Sequence, residues 1–125
     1  MNKIMVVDDD ASIRRLMVEL LKIKFRDPQV KIIEAANGEE AAQAFSNDVD
    51  LVITDYMMPK MDGLKLAAWL RDNAPQTRII VATGSLFGHE IPSNINIDDF
   101  IMKPFSPKDF LSCVSKVLEN RKQYA

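Results

Sequence analysis

Apolar residues follow two alternating rhythms along this chain. Largely apolar runs of strand length occur at Lys3 to Val7, Val30 to Ala35, Leu51 to Thr54, Arg78 to Ala82 and Asp99 to Met102, the pattern of strands buried on both faces. Between them lie helical spacings. Ile13, Leu16, Met17, Leu20 and Leu21 predict an amphipathic helix with Arg14, Arg15, Glu19 and Lys22 outside and Asp10 or Ser12 as its cap. Asp27-Pro28 ends that region, and Asn37-Gly38, a pair suited to positive φ, precedes a short helix through Glu39, Ala41, Ala42 and Phe45. A third helix is predicted from about Asp62 to Asn73, with Leu64, Ala67, Ala68 and Leu70 as its apolar positions and Ala74-Pro75 as its stop. Ser85 to Asp98, broken by Gly88, Pro92 and Asn94 to Asn96, leaves room for about one or two helical turns. Ser106-Pro107-Lys108-Asp109 opens a last helix with a cap, a proline at the first position and an acid at the third, and Phe110, Leu111, Val114, Val117 and Leu118 give its buried face.

Strands alternating with helices predict an α/β fold, a doubly wound five-stranded parallel sheet with right-handed crossovers. The carboxyl ends of such strands form the rim where ligands bind. Here those ends carry the chemistry: Asp8-Asp9-Asp10, Asp55, Thr83-Gly84 and Lys103-Pro104-Phe105. The central run stops abruptly on Asp55, and Pro59 with Asp62-Gly63 breaks the pattern before the next helix.

Composition narrows the classes. A chain of 125 residues fits one domain, taken as 1–120, with 121–125 a tail or the start of a linker. An apolar share of 47% and a charged share of 27% are ordinary for a soluble domain, and a net charge of -2 gives no electrostatic footprint for direct nucleic-acid binding. No apolar run is long enough to span a membrane, and Asp8 to Asp10 interrupts any signal-peptide pattern, so a cytoplasmic location is expected. Cys113 shares an apolar helix face with Phe110, Val114 and Val117 and reads as a buried spectator; His89 reads as a solvated loop residue, and the scattered methionines as core filler.

Asp8, Asp9 and Asp55 on one rim would repel one another by roughly 4 kcal/mol per pair at about 4 Å and an effective dielectric near 20. Such a cluster calls for cations. A hard divalent ion takes carboxylate, water and phosphoryl oxygens, and Lys103 adds a fixed positive charge. The set suits phosphoryl transfer to a carboxylate, with Asp55 the nucleophile, Lys103 offsetting charge on the equatorial oxygens and Thr83 donating its hydroxyl. Backbone N–H groups after Asp55 and around Gly84 can complete the cradle, glycine there avoiding a side chain that would crowd the ligand. Blander readings exist for each piece: the aspartate run can merely cap a helix, and Asp-Gly and Lys-Pro are common turn pairs. The weight lies in complementary groups at all four strand ends. Nucleotide binding is weaker, since the chain has neither a Walker sequence nor G-x-G-x-x-G.

Val6-Val7-Asp8-Asp9-Asp10 with Ile13-Arg14, Asp55 to Pro59 with Met61-Asp62-Gly63, Thr83-Gly84 and Lys103-Pro104-Phe105 together resemble the response regulator receiver domain of two-component signalling, across essentially the whole chain. The resemblance implies the flavodoxin-like strand order 2-1-3-4-5. It implies that Asp55 accepts a phosphoryl group from a histidine kinase or histidine phosphotransfer protein. Asp8, Asp9, Asp55 and the backbone carbonyl of Met57 would hold Mg²⁺ (or Mn²⁺), and Thr83 and Lys103 would contact the phosphoryl oxygens. Thr83 and Phe100 would form the switch that signals to a downstream output protein or tethered effector domain, with a phosphorylation-dependent dimer also admitted. A cis Lys103-Pro104 bond is expected. Met57 and Ser85 offer neither carboxamide nor carboxylate beside the expected water path, which predicts slow self-dephosphorylation and no separate substrate turnover. The short, helix-poor segment between Thr83 and Lys103 predicts an unusual output face. Two rival readings are a phosphorylation-independent docking module with the same fold and a metal-dependent aspartyl phosphatase, though Asp55, followed by Tyr56-Met57, does not open the D-x-D spacing usual for the latter.

Overall fold

The computed structural model describes residues 3–58, 61–84 and 96–119. Its elements run β1 (Lys3–Val7), α1 (Ala11–Lys24), β2 (Lys31–Ala35), α2 (Gly38–Ala44), β3 (Val49–Asp55), α3 (Gly63–Asn73), β4 (Arg78–Thr83), β5 (Asp99–Met102) and α4 (Pro107–Glu119). All five strands are parallel, in the order β2-β1-β3-β4-β5. The expected doubly wound, flavodoxin-like sheet is therefore present. The one or two turns expected near 85–98 fall mostly outside the described residues, as do His89 and Ser85.

Period-two alternation divides the core between the two sheet faces. Ile4, Val6, Leu51, Ile53, Ile80, Ala82 and Ile101 meet α1 and α4 on one face; Met5, Val7, Val52, Ile79 and Val81 meet Leu66, Ala67 and Leu70 of α3, with Ala41 of α2, on the other. Each large aliphatic side chain so buried contributes roughly 1.5–3 kcal/mol. Chain order reverses between β1 and β3, which places the crevice of the fold at their carboxyl ends.

Several local expectations are corrected. On α1 the fully buried positions are Met17, Val18 and Leu21, while Leu16 is exposed. On α3 they are Gly63, Leu66, Ala67 and Leu70, while Leu64 and Ala68 are only partly covered. Asn37-Gly38 does not adopt positive φ: Asn37, at φ -161°, caps α2 by accepting from the Glu40 amide at 2.9 Å. Gly38 is required for close approach instead, since an added Cβ would lie 2.6 Å from Met61. Two cap expectations hold: of Asp10 and Ser12 it is Asp10 that caps α1, and the Ser106 hydroxyl accepts from the Asp109 amide to open α4.

Candidate functional site

β1 ends by delivering Asp8 into the crevice, where its carboxylate is fully buried. A buried carboxylate needs partners, and Asp8 has two: the Asp10 amide donates to Oδ1 at 2.9 Å and the Lys103 ammonium to Oδ2 at 2.7 Å. Lys103 is also 3.1 Å from Oδ1 of Asp55, at the end of β3. One ammonium thus ties together the tips of β1, β3 and β5. Asp9, the next residue on the rim, is exposed, and one oxygen from each of Asp8, Asp9 and Asp55 lies within 4.8 Å of the others.

Three carboxylates facing one ammonium leave an excess of two negative charges. Burial, then the charges of Asp8 and Asp9, hold the Asp55 carboxyl above its usual range in spite of Lys103. Burial alone would lower the Lys103 ammonium, but its hydrogen bond to Asp8 and the charges of Asp8 and Asp55 outweigh that and raise it. Lys103 therefore stays charged at any physiological pH. The donor set fits a hard divalent cation: all oxygen, closely spaced and carrying the charge that such an ion cancels.

Thr83 is buried at the end of β4, and its carbonyl accepts from the Lys103 amide at 2.8 Å, which ties the β5 tip beside it. The Lys103-Pro104 peptide is cis, as expected. Phe100, 38% exposed, lies on β5 in register with Val81, and the Met57 side chain is exposed next to the rim. The loop after Asp55 is held by the Tyr56 amide donating to Ala82 and the Gly63 amide to Tyr56, each at 2.9 Å. A Cβ on Gly63 would sit 2.2 Å from the Asp55 carbonyl oxygen, so here glycine is obligatory. At Gly84 the nearest atom to an added Cβ is 3.9 Å away, so the surrounding chain does not demand glycine there.

Residue-type reasoning assigned Arg14 to the outside of α1. It lies against the site, donating from a terminal nitrogen to the Asp8 carbonyl at 2.7 Å and from Nε to Glu34 of β2 at 3.0 Å. Helical periodicity carries no signal for such a contact, because it depends on how α1 rolls against β1. Cys113 is half-buried on α4 with its sulfur 3.5 Å from Asp99, and burial followed by the Asp99 charge pushes its thiol up to about 12, as suits a spectator.

A doubly wound sheet with an acid cluster and one lysine at its carboxyl rim defines an α/β protein whose ligand crevice lies at the switch point. The family is more specific. The response regulator receiver domain model matches residues 4–115, and the chain belongs to that family. It is 39% identical over 118 residues to the probable transcriptional regulator ycf27 of Porphyridium aerugineum, covering 93% of this chain and 48% of that protein. The chain spans about half the length of the curated relatives it matches. A CheY-like receiver domain protein of Methanospirillum hungatei superposes with TM-score 0.83 at 27% identity, covering 95% of this chain and 94% of that one. The response regulator TrrA of Thermotoga maritima, solved in complex with Mg²⁺ and BeF, gives TM-score 0.75 at 34% identity over 94% and 99% of the two chains. This is a receiver domain of two-component systems.

Proposed function

We propose that Asp55 accepts a phosphoryl group from the phosphohistidine of a histidine kinase or histidine phosphotransfer protein. The observation that carries the reading is the convergence of Asp8, Asp9 and Asp55 within 4.8 Å, with Lys103 bonded to two of them. Asp8, Asp9, Asp55 and the Met57 carbonyl hold Mg²⁺ or Mn²⁺, which when bound cancels the excess charge that would otherwise repel an incoming phosphoryl group. An Asp55 carboxylate oxygen forms the O–P bond as the donor's N–P bond breaks, and the electron pair returns to the imidazole nitrogen. Lys103, already against Asp55, pairs with a phosphoryl oxygen, and the Thr83 hydroxyl donates to another.

Occupancy is relayed through Thr83 and Phe100 to a downstream output protein or a tethered effector domain in the cytoplasm. Among the described residues no helix is long and apolar enough to cross a membrane. Exposed Met57 supplies no group to orient an attacking water, which supports a phosphoryl lifetime longer than seconds. Intact mass spectrometry after incubation with an acyl phosphate and Mg²⁺ tests the reading. One added phosphoryl group is expected on the wild type and none on Asp55→Asn; an unmodified wild type, with output-partner affinity indifferent to beryllofluoride, would favour the phosphorylation-independent docking module.

A further inference from the structure

We propose that Arg14 is a positioning residue for the cation pocket, holding the plane of the Asp8–Asp9 peptide and thereby the aim of Asp9. The proposal rests on the metal-binding reading above. Asp9 is exposed, and among the described residues its side chain makes no hydrogen bond or ion pair, so only its backbone directs it. A peptide unit is planar, so whatever fixes the Asp8 carbonyl also fixes the Asp9 amide and the direction in which Cα of Asp9 leaves.

Arg14 fixes that carbonyl from a rigid fork. One terminal nitrogen donates to the Asp8 oxygen at 2.7 Å, while Nε donates to Glu34 at 3.0 Å, anchoring the guanidinium to β2. The Asp8 amide, on the other side of the residue, donates to the Ala35 carbonyl of the same strand at 3.1 Å. Asp8 is thus held to β2 through both of its peptide groups, one of them by way of a side chain. Its own carboxylate is independently fixed by Asp10 and Lys103, so loss of Arg14 should loosen Asp9 more than Asp8. Partners of this indirect kind typically change metal affinity by about 10–100-fold when removed.

The test is calorimetric titration of the metal-free protein with Mg²⁺, together with the Mg²⁺ dependence of acyl-phosphate labelling. Arg14→Ala is expected to weaken Mg²⁺ binding about tenfold. Half-saturating Mg²⁺ for labelling should rise in parallel, while the rate at saturating Mg²⁺ stays near that of wild type. Arg14→Lys, with a single donor nitrogen and no fork, should fall between. If Arg14→Ala does not fold, Glu34→Ala on the edge strand carries the test, expected to weaken binding by a smaller factor because the guanidinium loses its anchor. Wild-type affinity in whichever of the two variants folds would overturn the proposal. Absence of Mg²⁺ binding by wild type would instead overturn the metal reading beneath it.

Discussion

Two ionic clusters occupy opposite ends of the same sheet. At the amino-terminal base, Arg71 of α3 pairs with Asp98 at 3.1 Å and donates to the Pro75 and Thr77 carbonyls at 3.0 and 2.7 Å, with Nε on the Asn96 carbonyl. Asp98 in turn accepts from the Ile79 amide at 2.8 Å. Among the described residues this pair is one cation against one anion, and both also bond backbone: Arg71 that of the α3–β4 turn and of Asn96 before β5, Asp98 that of Ile79 in β4. At the carboxyl rim, Lys103 holds Asp8 and Asp55 while Asp9 stands beside them, and negative charge is left over. The base is a staple that finishes its own chemistry. The rim is stable enough to exist and unsatisfied enough to bind.

The largest effect should come from breaking the base. Arg71→Leu takes the ion-pair partner from a carboxylate whose side chain is 4% exposed, at a cost of about 3–5 kcal/mol by denaturant titration, with Mg²⁺ affinity unchanged. A loss below about 1 kcal/mol would mean that the base pair is incidental. Lys103→Met should cost roughly 3 kcal/mol in the absence of divalent cation, because Asp8 is fully buried. Saturating Mg²⁺ should restore more of that loss than it adds to wild type, and labelling of Asp55 should slow. Equal losses with and without Mg²⁺ would put the two clusters in one class.

Backbone approach separates two glycines on the rim. Gly63→Ala should cost about 1–3 kcal/mol and slow labelling, because the new methyl strikes the Asp55 carbonyl; Gly84→Ala should stay within about 0.5 kcal/mol in the unlabelled protein. The smallest effect is electrostatic. The folded chain binds the Asp55 proton more tightly than the unfolded chain, so its contribution to stability is present below the usual 3.8 and is lost as pH rises through the raised value. At neutral pH and without metal, charged Asp55 is a net cost. Asp55→Asn should therefore melt a few degrees above wild type, and the gap should close as pH falls through the window just above 3.8. A calorimetric series that shows Asp55→Asn melting lower at neutral pH would reverse the assignment of the rim as overcharged.

Which residues lie on the rim was readable from the chain, because apolar runs of strand length end on Asp8, Asp55, Thr83 and Lys103 and period-two burial leaves little latitude. Which face each helix buries was less readable. From Leu64 to Leu70 only Lys65 is polar, so periodicity alone admits more than one stripe. The close approach of Gly63 to the Asp55 carbonyl sets the roll of α3 and selects Leu66. On α1 the contact of Arg14 with the Asp8 carbonyl accompanies the burial of Val18 in place of Leu16.

By itself the sequence determined the alternation of strands and helices, the parallel sheet and the chemical identity of the groups at its carboxyl edge, since these follow from local periodicity and from where each run stops. Only the tertiary structure decided that one ammonium bridges Asp8 and Asp55, that Asp9 stands open beside them, that Gly63 and not Gly84 is sterically required, and that Arg14 reaches the rim. Those facts depend on distances between segments far apart in the chain, which only packing of the helices against the sheet sets.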